Sequence, residues 1–467
     1  MAPPEATFTT KGAKPDVTPP PFGGWKGAVD YRSGDFGLPD FFCFSGEPAH
    51  RRKPAAYNPP PDSRRNFWHD SSYARSMPDD SPTIGLRVVE SLSAVEAEQW
   101  DACALAPGSA GNPFLSHRFL KALEDSKSVG RRTGWQPQYL LAESDDGILQ
   151  GAVPLYMKGH SQGEYVFDHG WAQAFERAGG RYYPKLQAAV PFTPVPGPRL
   201  FARPGPFEDG VRDAMIDMLA KIAGDNRISS VHATFCTEAD WKRFGEHGWL
   251  LRLGQQYHWH NNGYSCFDDF LAALASRKRK GIRKEREAVR REGLTVRALT
   301  GAEIKPHHWD AFFAFYMDTG GRKWGSPYLT RSFFDILGNT MADKVVLVMA
   351  EADGRPVGGA LNLKGDDTLY GRYWGCLESH AFLHFEACYY QAIDYAIAHG
   401  LQRVEAGAQG DHKIQRGYVP VPTFSAHWVV DSGFRRAIED YLKRERPAVE
   451  QEIEGLKQYS PFRKENG

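Results

Sequence analysis

The chain has 467 residues, enough for two or three domains, and its apolar and aromatic content supports packed cores. Lys plus Arg equal Asp plus Glu at 57 each, which excludes an overall field that would draw the whole chain to nucleic acid or an anionic membrane. The six cysteines form no CxxC or CxxH pair, which argues against a zinc knuckle or a disulfide framework. Because no basic start precedes an apolar stretch and no long apolar run occurs, we expect a cytoplasmic protein without a membrane span.

The first 82 residues differ in composition from the rest of the chain. Proline clusters at residues 3–4, 19–21 and 59–61 lie among Gly, Ser and charged residues, with little helical or strand periodicity. Such a composition buries too little apolar surface to order a chain by itself. We therefore predict a largely disordered, proline-rich tail over residues 1–82.

Beyond the tail, an internal repeat covers most of the chain. Each copy predicts a strand, two helices, an Asp-Gly hairpin, a further strand, a helix and a closing strand. The repeat is visible in four pairs of blocks: residues 87–102 with 296–311, 112–123 with 326–337, 141–155 with 349–363, and 164–171 with 368–375.

The repeated order β-α-α-β-β-β-α-β predicts an α/β architecture: two copies of one mixed α+β fold that pack around a shared groove. We expect a basic helical segment between the copies and a helix after the second. The predicted limits are residues 1–82 for the tail, 83–265 for the first domain, 266–293 for the basic connector, 294–440 for the second domain, and 441–467 for the C-terminal helix and tail.

Four passages give the chain a family resemblance. They read VPFTPVPGPR (190–199), QYHWHN (256–261), SRKRKGIRKER (276–286) and EAGAQGDHK (405–413). Over residues 84 to 465 the chain resembles the Fem-type (FemAB-like) peptidoglycan biosynthesis or recognition branch of N-acyltransferases. The resemblance implies tandem acetyltransferase-like (GNAT) folds and acetyl, acyl or aminoacyl transfer to an amine. It also implies a cell-wall precursor or another small molecule as acceptor, with aminoacyl-tRNA as donor in the best understood relatives.

Positive charge is concentrated in the predicted connector. Nine basic residues between Arg277 and Arg291 accompany only Glu285 and Glu287. Such an array can hold the phosphates of acyl-CoA, a nucleotide-linked precursor or tRNA, or it can be a solvated helix face. We select Lys280, Arg283 and Lys284 as phosphate-binding candidates.

Two further passages carry candidate binding residues in the first half. The prolines of residues 191–199 hold an extended path along which Thr193 and Arg199 can meet a substrate carbonyl or phosphate; a rigid connector is the alternative. His258 alternates with His260 on a predicted strand, and no third ligand is evident for a metal ion. His258 and Trp259 are therefore predicted to line the substrate or to pack in the core, and no metal is predicted.

In the second half, the start of a predicted helix offers groups for proton transfer. His384 or Glu386 can deprotonate an incoming amine, with helix capping and packing as the alternative roles, and Tyr373 or backbone amides can stabilise the oxyanion. No tightly bound cofactor is predicted; acyl-CoA or aminoacyl-tRNA is the expected donor, and DNA is not an expected partner. A non-catalytic module that recognises a cell-wall fragment or RNA is the alternative. The remaining binding candidates of this half are Arg372, Trp374, Gln409, Lys413 and Arg416.

Overall fold

A computed structural model describes residues 73–75, 84–106, 109, 111–323, 327–407 and 410–463. The predicted tail lies outside the described residues except for one short strand. The elements of the first half are β1 (Tyr73–Arg75), β2 (Ile84–Val89), α1 (Ala97–Ala104), α2 (His117–Asp125), β3 (Trp135–Pro137), β4 (Tyr139–Ser144), β5 (Leu149–Val153), β6 (Leu155–Lys158), α3 (His169–Arg177), β7 (Lys185–Ala188), β8 (Phe201–Ala202), α4 (Glu208–Asp225), β9 (Ser230–Cys236), α5 (Glu238–Glu246) and β10 (Leu250–His260).

Two helices lead from the first half into the second, and the predicted basic segment forms one of them. The elements are α6 (Phe267–Ala273), α7 (Ser276–Arg291), β11 (Leu294–Thr300), α8 (Pro306–Lys323), α9 (Arg331–Thr340), β12 (Val345–Ala352), β13 (Arg355–Lys364), β14 (Thr368–Cys376), α10 (Leu383–Phe385), a π-helical turn (Glu386–Tyr390), α11 (Gln391–Ala398), β15 (Arg403–Glu405), a 3-10 helix (Asp411–Arg416), β16 (Val419–Val429) and α12 (Ser432–Lys457).

Local sequence explains where equivalent helices begin. The Ser116 side chain accepts a hydrogen bond from the amide of Phe119 at the start of α2, and Thr330 does the same for Phe333 at the start of α9. The two helices pack on each other, with the rings of Phe119 and Phe333 edge to face at 5.8 Å. The repeat therefore reproduces both the caps and the apolar faces, and the equivalent faces meet in one core.

An eleven-stranded sheet joins the two halves in the order β11-β12-β13-β14-β15-β10-β16-β9-β7-β6-β3. Its centre is an exchange: β10, from the first half, pairs with β15 of the second, and β16, from the second half, pairs with β9 of the first. The strands β10 and β16 are antiparallel neighbours over nine residue pairs. Each half thus receives the strand that ends the other half.

The pairing registers show that the halves are related by a pseudo-twofold axis. His427 of β16 lies opposite His232 of β9, and His258 of β10 lies opposite Glu405 of β15. On both sides the next strand is parallel, with Gln187 opposite His232 and Tyr370 opposite Glu405. His258 therefore corresponds to His427, Glu405 to His232 and Tyr370 to Gln187.

The first half departs from this symmetry at one proline. Pro154 has no amide hydrogen to donate, and it separates β5 from β6. The strand β5 pairs with β4 and β8 in a five-stranded sheet, whereas β6 continues the large sheet beside β7. In the second half the corresponding strand β13 is continuous and pairs with both β12 and β14.

The fourth pair of repeat blocks was wrongly aligned. Residues 164–171 form no strand; residues 164–168 are a loop that leads into α3, which begins at His169, and the registers make β7 the counterpart of β14. The loop is drawn inward by the buried Lys185, whose ammonium group lies 2.7 Å from Glu164 Oε2 and also contacts Asp168. Because these contacts come from distant residues, the alternating pattern of residues 164–168 resembles a strand without forming one.

Among the described residues, no helix has the length and apolar character that crossing a membrane requires.

Candidate active site

The strands β14 and β15 separate after a short parallel pairing. Residues 368–370 pair with 403–405; β15 then ends, whereas β14 continues to Cys376. Gly407, at φ 77°, follows the end of β15. Two strands that part in this way leave unpaired backbone and open the sheet at one point. The side chains at this point determine what the opening can bind.

A β-bulge directs Arg372 to this opening. On β13, Leu361 lies opposite Tyr373 and the next residue, Asn362, lies opposite Gly371, so that Arg372 is the extra residue. Arg372 Nη2 lies 3.0 Å from Glu405 Oε2, and both side chains are almost completely buried. Two further groups approach the carboxylate: His258 Nε2 at 3.9 Å and Arg403 Nε at 3.7 Å from Oε1. We call Arg372, Glu405 and His258 the junction cluster.

Burial sets the protonation of the junction cluster. It raises the pKa of Glu405 above its usual value, although Arg372 and Arg403 act in the opposite direction. Burial lowers the pKa of His258 well below its usual value, and the nearby Arg403 adds to this effect. His258 is therefore a neutral imidazole at pH 7, and a neutral imidazole can accept a proton.

The proline-rich passage of the first half forms the opposite wall of the site. Gln256 Nε2 donates to the carbonyl of Pro194 at 2.5 Å, and Tyr373 Oη donates to the carbonyl of Phe192 at 2.9 Å. Phe192 has a left-handed backbone, φ 63°, which costs free energy for a residue with a side chain. Thr193, buried between these two anchors, therefore lies next to the junction cluster.

Two buried polar atoms at this site have no hydrogen-bond partner among the described residues. They are Thr193 Oγ1 and Arg372 Nε. An unpaired polar group in the interior costs about 1–3 kcal/mol. Other buried polar atoms of the chain, such as Trp249 Nε1, are also unpaired, so this property alone does not define a site. Each of the two groups is a donor with free capacity for a substrate oxygen.

Lys413 is also near the junction cluster. Its ammonium group donates to the Gly407 carbonyl at 3.0 Å and lies 5.6 Å from the ring centre of Tyr257. Trp259 is fully buried and packs edge to face against Phe270, which supports a core role. Gln409 lies outside the described residues.

The structure corrects the role of proton acceptor that was predicted for Glu386. Its carboxylate accepts hydrogen bonds of 3.0 and 3.1 Å from Arg286 of α7 and lies in the buried face of the π-helical turn. A base in this ion pair is not available to an amine. His384 lies 5.4 Å from Trp374 between ring centres, in an aromatic group with Tyr389.

Arg199 is likewise not available to a substrate. It is fully buried, and its guanidinium donates to the carbonyls of residues 195, 197, 198 and 234. Its amide donates to Asp240 at 2.6 Å. Arg199 thus fills the space beside the end of β9 in the first half. The corresponding space in the second half, where β14 and β15 part, is open. Arg416 is also engaged, by Glu285 at 2.9 Å.

The three phosphate-binding candidates of α7 are exposed. Arg283 pairs with Asp268 at 2.9 Å. Lys280 and Lys284 lie on the face opposite Ile282, which is buried in the core of the second half. Their side chains therefore point away from the core on which α7 packs.

The sequence interpretation did not single out Glu405 or a second buried ionic group. Glu405 stood in one of the family-like passages, but nothing local indicates that Arg372 and His258 converge on it. In the first half, Lys185, Glu164, Asp168 and His232 form a fully buried network, with His232 Nδ1 2.7 Å from His427 Nδ1. The signal in the sequence that could have indicated this network was the presence of ionisable residues on neighbouring strands.

Among the described residues, neither a metal-binding group of side chains nor the cavity found in the first half coincides with the junction cluster. Within the part of the chain that the structure describes, no three His, Cys, Asp or Glu side chains are placed to hold a metal ion. A cavity of about 430 Å³ lies in the first half, between Cys103, Leu200, Arg212 and Asp240. Its charged walls carry both signs, and none of the predicted site residues lines it. We assign the site by the convergence of buried polar groups.

Residues 91–464 match the FemAB-like family, described as peptidoglycan biosynthesis/recognition. Similar solved structures include FemX (13% identity, 74% of this chain and 98% of that one, TM-score 0.48) and a tandem GNAT protein of the clavulanic acid biosynthesis pathway (12%, 74% and 99%, 0.43). Another is the C-terminal domain of a putative lysylphosphatidylglycerol synthetase from Agrobacterium fabrum (10%, 75% and 96%, 0.45). Comparison with curated proteins gives no match. The predicted family is confirmed, and the chain belongs to the FemAB-like family of peptidoglycan biosynthesis or recognition proteins.

Proposed function

We propose that this protein transfers an acyl or aminoacyl group to an amine at the junction cluster. The observation that carries the proposal is the convergence of Arg372, Glu405 and His258 at the point where β14 and β15 part, beside the unpaired hydroxyl of Thr193. Buried ionisable groups with shifted pKa values are typical of catalytic sites. The FemAB-like family gives the coarse class of reaction.

Each residue has a role that its geometry supports. The amine nitrogen attacks the donor carbonyl carbon, and the neutral His258 takes the proton that the nitrogen loses. Glu405, 3.9 Å away, stabilises the imidazolium that results. Thr193 and Arg372 donate to the oxyanion. When the intermediate collapses, the bond to the donor's oxygen or sulfur breaks and the leaving group takes the proton from His258.

The substrates follow from the family and the chemistry. A cell-wall precursor that carries a free amine is the proposed acceptor, and acyl-CoA or aminoacyl-tRNA is the proposed donor. Both donors are made in the cytoplasm, where we place the reaction. Lys413, near the cluster, is the residue that we assign to a phosphate or carboxylate of either substrate.

We expect His258→Gln to lower kcat at least about 100-fold, because general-base catalysis contributes about 10²–10⁴-fold. The matched control is His427→Gln, the register-equivalent position on β16, which should keep kcat within a few-fold. Purified variants would be assayed with acyl-CoA and aminoacyl-tRNA donors and amine-bearing cell-wall precursors, and their melting compared. Equal losses in both variants, or substrate binding by the wild type without transfer, would contradict the proposal and favour a recognition module.

A further inference from the structure

An exposed apolar loop joins β14 to α10. In residues 377–382, Leu377 is 57% exposed and Phe382 is 42% exposed. Phe382 also has a left-handed backbone, φ 63°. Both the exposure of the phenylalanine ring to solvent and the strained backbone are unfavourable. Backbone strain of this kind is kept mainly where it serves binding. We call residues 377–382 the apolar loop.

The helix beside this loop carries a row of cations. Helical spacing places Arg277, Lys280, Lys284 and Arg291 along one exposed face of α7, which we call the basic stripe. Arg291 pairs with Glu287; for the other three, no carboxylate partner occurs among the described residues. Gly281 lies in the same face with open space around it, so the cations can approach a flat surface.

The inner side of α7 fixes the stripe relative to the rest of the protein. Ile282 and Val289 are buried, and Arg286 forms ion pairs with Glu386 and Asp394. The helix is therefore held by its buried side, and its cations are not needed to attach it. A purely structural helix at this position would not require the basic stripe.

Direct contacts join the apolar loop to the end of α7. His380 Nδ1 lies 3.0 Å from Glu292 Oε2, immediately after the helix. Leu383, the residue after the loop, belongs to the same buried cluster as Val289. Arg355 pairs with Glu378 at the base of the loop and adds a further exposed cation. The apolar loop thus adjoins the C-terminal end of α7, where Arg291 of the basic stripe lies.

We propose that the apolar loop and the basic stripe dock together on an anionic phospholipid bilayer. The cations of the basic stripe bind lipid phosphates, while Leu377 and Phe382 enter the boundary between headgroups and acyl chains. Cations combined with exposed apolar side chains are what interfacial membrane binding requires. Phosphate-bearing RNA would match the cations, but it gives Leu377 no apolar environment. Since the whole chain has no net charge, it has no overall electrostatic attraction to a bilayer, and attraction requires a local group of cations such as the basic stripe.

The test uses the full-length protein and sedimentation with vesicles of phosphatidylcholine containing 30% phosphatidylglycerol. We expect binding that weakens with salt and is absent with pure phosphatidylcholine. Lys280→Gln with Lys284→Gln should weaken it about 25-fold, since each cation near an anionic membrane contributes about fivefold. Leu377→Ser with Phe382→Ser should weaken it at least tenfold.

Matched controls change the same residue types elsewhere. Phe167→Ser replaces another exposed phenylalanine, and Lys242→Gln with Lys443→Gln replaces two exposed helical lysines; neither should affect vesicle binding. Absence of binding by the wild type would overturn the proposal. So would dependence on the lysines but not on Leu377 and Phe382, together with competition by tRNA, which would identify an RNA surface. Acyl transfer is not part of this readout, so the two proposals stand or fail separately.

Discussion

At the scale of single residues, the sheet contains a buried histidine at each of two equivalent positions. His258 and His427 occupy equivalent positions, yet their neighbours differ: His258 faces the carboxylate of Glu405, and His427 faces the imidazole of His232. A carboxylate can stabilise a protonated histidine, whereas a neutral imidazole does so far less. The two register-equivalent positions therefore differ in their capacity to stabilise a proton, and this difference supports the role proposed for His258.

The first-half histidine pair predicts a loss of stability in acid. Burial, with Lys185 nearby, lowers the pKa of His232 to about 3, from an ordinary value of 6.5. Between pH 6.5 and about 3 the unfolded chain binds this proton and the folded chain does not, so the free energy of unfolding falls as the pH falls. The effect of one such group is about 1.4 kcal/mol per pH unit.

Urea denaturation between pH 7 and 5 measures this effect. His232→Gln removes the group, so its dependence of unfolding free energy on pH should be smaller than the wild type's by up to about 1.4 kcal/mol per unit. An unchanged dependence would mean that His232 is protonated in the folded state. His117, which is part-buried and hydrogen-bonded to the Leu92 carbonyl, provides a variant at a different site for comparison.

Secondary-structure elements were the level that the sequence predicted best. The Asp-Gly turns and the helical character of the basic segment depend on neighbours a few residues away, and each formed as expected. The site residues were predicted less well. The π-helical turn, the bulge at Arg372 and the ion pair of Glu386 depend on residues up to a hundred positions distant, which no local pattern reveals.

Two glycines give opposite predictions at the scale of elements. Gly281 lies inside α7, and a Cβ there would meet no atom within 4 Å. Gly281→Ala should stabilise the protein by about 0.5–1 kcal/mol, because alanine loses less backbone entropy in a helix. In β14, a Cβ on Gly375 would lie 2.3 Å from the Phe315 carbonyl oxygen of α8. Gly375→Ala should therefore destabilise by about 1–3 kcal/mol.

Both changes are measured by chemical denaturation of the full chain. A lower stability for Gly281→Ala would show that the helix does not have its described environment. If Gly375→Ala were tolerated, α8 and β14 would be able to move apart. This movement would also loosen β14 around Tyr373.

The exchange of β10 and β16 makes one folding unit of the two halves at the scale of the whole molecule. The predicted duplication is present, but nothing in the sequence states that each copy donates its last strand to the other. Strand pairing between residues about 170 positions apart has no local signature. The predicted domain limits assign β10 to the first domain, although it pairs with β15 and β16 of the second half.

We therefore expect a single cooperative unfolding transition for residues 84–463. Scanning calorimetry should give equal calorimetric and van't Hoff enthalpies. A fragment of residues 84–293 lacks β16, which leaves β9 and β10 without their shared neighbour, and it should not unfold cooperatively by itself. Two separate transitions, or a stable isolated fragment, would contradict this expectation.

The same exchange affects how the protein can be made. On the ribosome, β9 and β10 are complete about 170 residues before β16 has been synthesised. At about 5–20 residues per second this delay lasts roughly 10 to 30 s. During this time the first half is a nascent chain with two unpaired strand edges, which are sites for aggregation. Slow synthesis prolongs this exposure, and a chaperone that covers the edges prevents it. Both should therefore affect the yield of native protein more strongly than the stability of either half does.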